Sequence, residues 1–264
     1  MPFASIRGLS MYYERAGNAE STRRLLLING SGGDLRQKPN LIEGPLADDF
    51  DLLAFDQRGL GQTDKPDQPY SMAEYAADAL ALMDYVGWQR CRVYGLSFGG
   101  MVAQELAVTA PERVERLVLS CTSPGGAGGA SYPLHELQEL APEEAGALHG
   151  RLLDTRGEEA GEIIGLIAKA MAERRDIGAD EPDREMGYRR QLEARRGHDT
   201  YQRLERLDMP VLIAAGRYDG IAAPSNQEAM HAAIADSRLE WFEGGHVFMM
   251  QDPRANKVIR EFLL

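Results

Sequence analysis

Arg92-Val93-Tyr94-Gly95-Leu96-Ser97-Phe98-Gly99-Gly100 is the stretch on which the fold turns. Its opening residues are β-prone, whereas 98–110 read as a helix that stops before Pro111. A serine framed by glycines two residues to either side therefore sits on the turn between a strand and a helix. The pattern G-x-S-x-G arises by chance in roughly one chain of this length in ten, so its position carries the information rather than its letters. So tight a turn strains the central residue and lifts its hydroxyl above the sheet. Side chains at Gly95 and Gly99 would collide with neighbouring backbone, and Gly100 eases the crowding further. The helix start beneath adds free N–H groups and a positive dipole end, which favour developing negative charge.

Working outward, 25–28 is apolar without alternation, and comparable short runs recur at 52–55, 92–94, 117–120, 211–215 and 239–242. Runs of this kind suit parallel strands covered on both faces. At the start of the chain, 3–7 and 10–16 are β-prone and joined by Gly8-Leu9, which predicts a hairpin. Helices fall between the strands. Ser71-Met72-Ala73-Glu74 and Ser225-Asn226-Gln227-Glu228 both read as capping boxes, and Pro253 suits the first turn of a final helix. Strand and helix alternate, so the expected fold class is α/β with a mostly parallel sheet, an N-terminal β-hairpin and a helical insertion. The insertion is read from charge: 131–200 hold 26 charged residues among 70, no strand-like run, and helical stretches at 158–175 and 185–196. Pro124 and the glycines of 125–129 give it a pliable lead-in. The expected division is 1–124 with 201–264 as the core and 125–200 as a helical cap lying over the sheet.

A serine hydroxyl becomes a nucleophile only when a base takes its proton and a third group orients that base. Of the five histidines, His135, His149 and His198 lie in the charged insertion and His231 lies inside a helix. His246, in Glu243-Gly244-Gly245-His246, follows a strand and so stands at the carboxyl edge of the sheet, where open α/β sheets bind ligands. Asp219, in Gly216-Arg217-Tyr218-Asp219, follows the strand before it. Ser97, Asp219 and His246 are thus the candidate nucleophile, acid and base.

These residues resemble the α/β-hydrolase family, whose triad runs serine, acid, histidine along the chain, and the resemblance extends over nearly all of it. Asp56-Gln57-Arg58-Gly59-Leu60-Gly61 looks like the family's D-x-R-G-x-G loop. Asn29-Gly30-Ser31-Gly32-Gly33 stands where many members carry His-Gly, and the Asn is similar to that of enol-lactonase-like members. The resemblance implies an oxyanion site formed by the backbone N–H groups of Phe98 and Ser31, with Gly32 in reserve. It implies a serine hydrolase of carboxylic esters or lactones that works through an acyl-enzyme. Cofactor-free haloperoxidase or perhydrolase chemistry, carbon–carbon bond hydrolysis and a non-catalytic ligand receptor stay open as alternatives. Ser97 argues against the dehalogenases and epoxide hydrolases of the family, which use Asp, and Leu96 against its carbon–carbon hydrolases, which often carry Asn there. Asp56 and Arg58 are expected to hold loops through an ion pair.

Composition removes other classes. With 29 Lys+Arg against 41 Asp+Glu, the net charge of −12 repels nucleic acid and anionic membranes. The apolar runs fall far short of the ~18 residues of a membrane span, and the first residues lack an apolar signal core, so a cytoplasmic protein is expected. Neither Cys91 and Cys121 nor the histidines have metal-ligand spacing, Gly30-Ser31-Gly32-Gly33 lacks the rest of a phosphate loop, and no cofactor is implied. Cys91 should open one strand and Cys121 close the next, roughly 15 Å apart at ~3.3 Å per residue, too far for a disulfide. The expected partner is a small ester or lactone, and a homo-oligomer is left open.

Overall fold

Leu25-Leu26-Leu27-Ile28 is apolar throughout because helices cover both of its faces. Leu25 and Leu27 belong to one buried cluster with Phe242, Ala255, Ile259 and Leu263, whereas Leu26 and Ile28 belong to another with Leu82, Phe98, Val102 and Leu106. Such a strand buries every side chain, each stabilising the fold by about 2 kcal/mol. The computed structural model describes residues 2–38 and 40–264. Eight strands form its sheet: β1 (Phe3–Ile6), β2 (Leu9–Gly17), β3 (Arg24–Ile28), β4 (Asp51–Phe55), β5 (Cys91–Leu96), β6 (Val114–Ser120), β7 (Val211–Gly216) and β8 (Ser237–Phe242). Their order is β1-β2-β4-β3-β5-β6-β7-β8. The first two strands pair antiparallel and β2 runs antiparallel to β4, whereas β4, β3, β5, β6, β7 and β8 are parallel. The fold is therefore the expected α/β sheet with its N-terminal hairpin. Loops that follow β3, β5, β7 and β8 all emerge at one edge.

The hairpin turn is Arg7-Gly8, one residue earlier than Gly8-Leu9. Ile6 pairs with Leu9, and Arg7 and Gly8 have φ of 50° and 84°. Two positive φ values match the twist of the flanking strands, and Leu9 is buried as part of its strand.

Helices α1 (Met72–Tyr85) and α2 (Phe98–Thr109) cover one face of the sheet. Ser71 and Glu74 form the reciprocal cap at the start of α1, with hydrogen bonds of 3.2 and 3.1 Å. Between β6 and β7 come α3 (Pro142–Leu153), α4 (Glu162–Arg175) and α5 (Arg184–Arg196). They are followed, beyond β7, by α6 (Pro224–Ala233) and, after β8, by α7 (Phe248–Gln251) and α8 (Arg254–Leu263). The expected second capping box does not form. Pro224 takes the first helical position with Ala223 before it, so Ser225 already lies inside the turn.

The glycines of 125–129 are pinned rather than pliable. A Cβ on Gly125 would fall 2.0 Å from the His198 carbonyl oxygen, and one on Gly129 2.2 Å from Asn226 Oδ1. Gly125 bridges Asp199, and the Thr200 N–H donates to the Pro124 carbonyl at 2.8 Å. The helical segment thus leaves and returns at one point. Cys91 opens β5 and Cys121 follows β6, both as buried free thiols. Among the described residues no helix is long and apolar enough to cross a membrane.

Candidate active site

Ser97 joins β5 to α2 at φ 53° and ψ −114°, the strained region foreseen for the turn. The flanking glycines are there because nothing larger fits. A Cβ on Gly95 would lie 2.4 Å from the Gly99 carbonyl oxygen, and one on Gly99 2.0 Å from that of Ile28. The serine hydroxyl therefore stands clear of the sheet, on the edge to which the other strand-end loops come.

Two of those loops meet it. His246 Nε2 lies 2.9 Å from Ser97 Oγ, and His246 Nδ1 lies 2.8 and 3.0 Å from the two oxygens of Asp219. Asp219 is 2% exposed, and its Oδ1 also accepts the N–H groups of Ile221 and Ala222, each at 2.8 Å. Its orientation is thus fixed, and the imidazole proton belongs on Nδ1. That leaves Nε2 as an acceptor facing the serine hydroxyl, the arrangement in which a histidine removes a serine proton.

The loop after β3 lies alongside. A Cβ on Gly30 would be 3.5 Å from Ser97 Cβ. Phe98 opens α2, where the helix ladder offers its N–H no acceptor. Gly32 N–H donates to Gln191 Oε1 at 2.9 Å, so of the two donors considered on this loop Gly32 is already engaged. The remaining histidines stand apart from this group. His198 is buried with Nε2 bonded to the Ser123 carbonyl, and burial pulls its pKa down to about 4. His231 bonds Ser237.

Asp56 and Arg58 do not pair with each other. Asp56 accepts the N–H groups of Leu35 (2.7 Å) and Gln62 (2.9 Å), while Arg58 reaches Asp78 on α1 at 2.7 Å. Gly61 packs so closely on Asp56 that a Cβ would lie 2.3 Å from its Oδ2. The carboxyl is consequently desolvated, and burial pushes its pKa up to about 7.

Several residues at this edge went unread in the sequence. The last turn of α3 and the residues just after it strap the loops of Asp219 and His246 together. Leu152 and Leu153 carbonyls accept the N–H groups of Gly220 (3.0 Å) and His246 (2.7 Å), and Thr155 N–H donates to the Tyr218 carbonyl. Asp154, fully buried, joins Arg156 to Gln251, whose Oε1 accepts the Gly245 N–H at 2.8 Å. Burial pushes the Asp154 pKa up, but the hydrogen bonds from Arg156 and Gln251 outweigh it and hold the pKa below the usual carboxylate range. From α5, Tyr188 packs on Gly32 and Gln191 bonds it. The only sequence signal for these was helical spacing on α5.

A family profile described as alpha/beta hydrolase fold matches residues 23–159, more than half of the chain. The chain belongs to the α/β-hydrolase family. Among curated relatives of this hydrolase, a 3-oxoadipate enol-lactonase of Acinetobacter baylyi is 27% identical over 251 residues, covering 94% of this chain and 90% of its own. A poly(3-hydroxyalkanoate) depolymerase of Ectopseudomonas oleovorans is 28% identical, covering 90% and 83%. Among solved structures, an enol-lactonase from Burkholderia xenovorans superposes with a TM-score of 0.82 over 99% of both chains, at 23% identity, a likeness of fold.

Proposed function

We propose that this α/β-hydrolase cleaves a carboxylic ester or lactone of a small molecule through an acyl-Ser97 intermediate. The observation that carries the reading is the unbroken path from Asp219 through His246 to Ser97, with contacts of 2.8 and 2.9 Å. His246 Nε2 takes the hydroxyl proton as Ser97 Oγ bonds to the carbonyl carbon. The oxyanion that forms is met by the N–H groups of Phe98 and Ser31, each such donor being worth about 3 kcal/mol in the transition state. The carbon–oxygen bond to the leaving group then breaks as His246 returns its proton to that oxygen. A water molecule, deprotonated by His246, attacks the acyl-serine and releases the acid. One water is consumed per ester, giving acid and alcohol, or per lactone, giving a hydroxy acid. The helical segment 125–200 acts as the cap that roofs the site. The enol-lactonase relative supports the lactone arm of the reading.

A panel of p-nitrophenyl esters and lactones tests it with the wild type and Ser97→Ala. Turnover by the wild type and a fall of kcat by about 10⁴ or more in the variant are expected. Stoichiometric labelling of Ser97 by a fluorophosphonate should accompany them. A variant with near-normal turnover would remove the nucleophile, and a wild type that binds ligands without turning any over would be a receptor.

A further inference from the structure

Helix α5 presents Tyr188, Gln191, Leu192 and Arg195 along one stripe, at the spacing that puts residues on a common face. That stripe looks at the reactive edge. Tyr188 and Gln191 contact Gly32, and Leu192 packs in a cluster with Leu153 and Ile221, against which Val247 also lies. Arg195 extends the series. Its Nη1 donates to the Tyr132 carbonyl at 2.7 Å, and Tyr132 N–H in turn donates to the Ile221 carbonyl, two residues beyond Asp219. A cavity of about 210 Å³ opens at Arg195, and its wall includes Met101, Ala130, Pro133 and His198. Met101 N–H bonds the Ser97 carbonyl, so the cavity reaches the first turn of the helix that follows Ser97.

Arg195 is only 6% exposed, and among the described residues no carboxylate pairs with it. Its Nε and Nη2 are buried without an acceptor. These two nitrogens share one edge of the guanidinium, the fork that grips a carboxylate side-on. Elsewhere in this chain the same fork is filled that way, by Arg156 on Asp154 and by Arg254 on Asp252. Two further buried donors lack acceptors on this side of α5 and its neighbour loop, Gln191 Nε2 and Ser31 Oγ. The acidic groups at hand do not answer the charge. Asp219 is committed to His246 and two backbone N–H groups, while Glu136 is exposed at the cavity wall and forms no ion pair with Arg195. Burial pulls the Arg195 pKa down to about 10, which still leaves it cationic at neutral pH. A buried cation without an anion is costly, and a ligand that brings the anion offsets that cost.

We propose that Arg195 anchors a carboxylate of the substrate, so that the ester or lactone cleaved at Ser97 carries a second, ionised carboxyl group. The inference rests on the hydrolase reading for the position of the scissile bond. Its test compares the p-nitrophenyl monoester of glutaric acid with p-nitrophenyl pentanoate, which lacks the charge. The wild type should favour the anionic ester in kcat/KM by about tenfold or more, mainly through KM. Arg195→Met should erase that ratio and Arg195→Lys restore part of it. Glutarate, titrated calorimetrically, should bind the wild type at least about tenfold more tightly than Arg195→Met. A wild type without preference, or a preference that survives Arg195→Met, overturns the anchor. If Arg195→Met does not fold, the wild-type ratio and the Lys variant decide. Arg195-dependent binding of glutarate with neither ester hydrolysed would instead leave the anchor standing and remove the hydrolase reading.

Discussion

Ser97 is held in a backbone region that a non-glycine residue enters only at a cost of about 1–3 kcal/mol. Its N–H donates to the Ser120 carbonyl at 2.9 Å, and its own carbonyl receives the N–H groups of Gly100 and Met101. Those bonds fix the turn from both sides. Asp219 is fixed just as firmly, and this gives a sharp expectation for Asp219→Asn. The N–H groups of Ile221 and Ala222 require an oxygen at Oδ1, so the new amide nitrogen must take the Oδ2 position facing His246 Nδ1. The imidazole proton then moves to Nε2, which can no longer accept from Ser97. A fall in kcat of about 10⁴ is expected, with Ser97 still reactive only above the pH range where the wild type works. Steady-state kinetics against pH checks it, and a fall of less than tenfold would show that Asp219 does not set the tautomer. Ser97, Asp219 and His246 were legible in the sequence because each lies just beyond an apolar run, at a break marked by glycine. Gln191 and Arg195 were not, because a polar residue on a charged helix reads as solvated until the helix is docked.

At the scale of elements, the last turn of α3 and the segment that follows it do more than connect. The Leu152 and Leu153 carbonyls bond Gly220 on one side and His246 on the other, so the loops of Asp219 and His246 are positioned by a piece of the helical insertion. Gln251 on α7 completes the strap, donating to Asp154 and accepting from Gly245. Gln251→Leu removes both bonds while keeping the volume. Because small misplacements of a base are costly to rate, kcat should fall about tenfold, and the lost bonds should lower stability by about 1–3 kcal/mol. Kinetics beside denaturant unfolding separates the two effects. Unchanged kcat with lowered stability would mean that the strap only supports the fold. The two capping boxes show what local pattern settles. Ser71 and Glu74 act as read, whereas Ser225 is displaced by a proline that suits the first helical turn better.

Across the whole molecule, titration should shape stability from two directions. The Asp56 pKa is raised by burial to about 7 from an ordinary 3.8, so its contribution to stability is fully present below that ordinary value and is lost as pH rises through about 7. Asp252 has the opposite sign. The hydrogen bond from Arg254 lowers its pKa to about 2, giving stability that is present above the ordinary value and lost as pH falls through about 2. Melting temperatures of the wild type and Asp56→Asn between pH 4 and 8 test the first of these. The wild type should lose more stability than the variant as pH rises from 4 to 7, and parallel curves would sink the assignment. A desolvated carboxyl of this kind was hidden in the sequence, where Asp56 reads as a partner for Arg58. Folding sends Arg58 to Asp78 instead, and encloses Asp56 between two loops.

The sequence alone determined the order of strands and helices, the doubly covered sheet and the strained serine turn. These follow from side-chain period and backbone sterics, which act over a few residues. Tertiary structure alone decided which loops touch, that the insertion bonds the loops of both Asp219 and His246, and that Arg195 is buried with no carboxylate paired to it among the described residues. Those features depend on contacts between residues far apart in the chain, and no local pattern encodes the distance that folding removes.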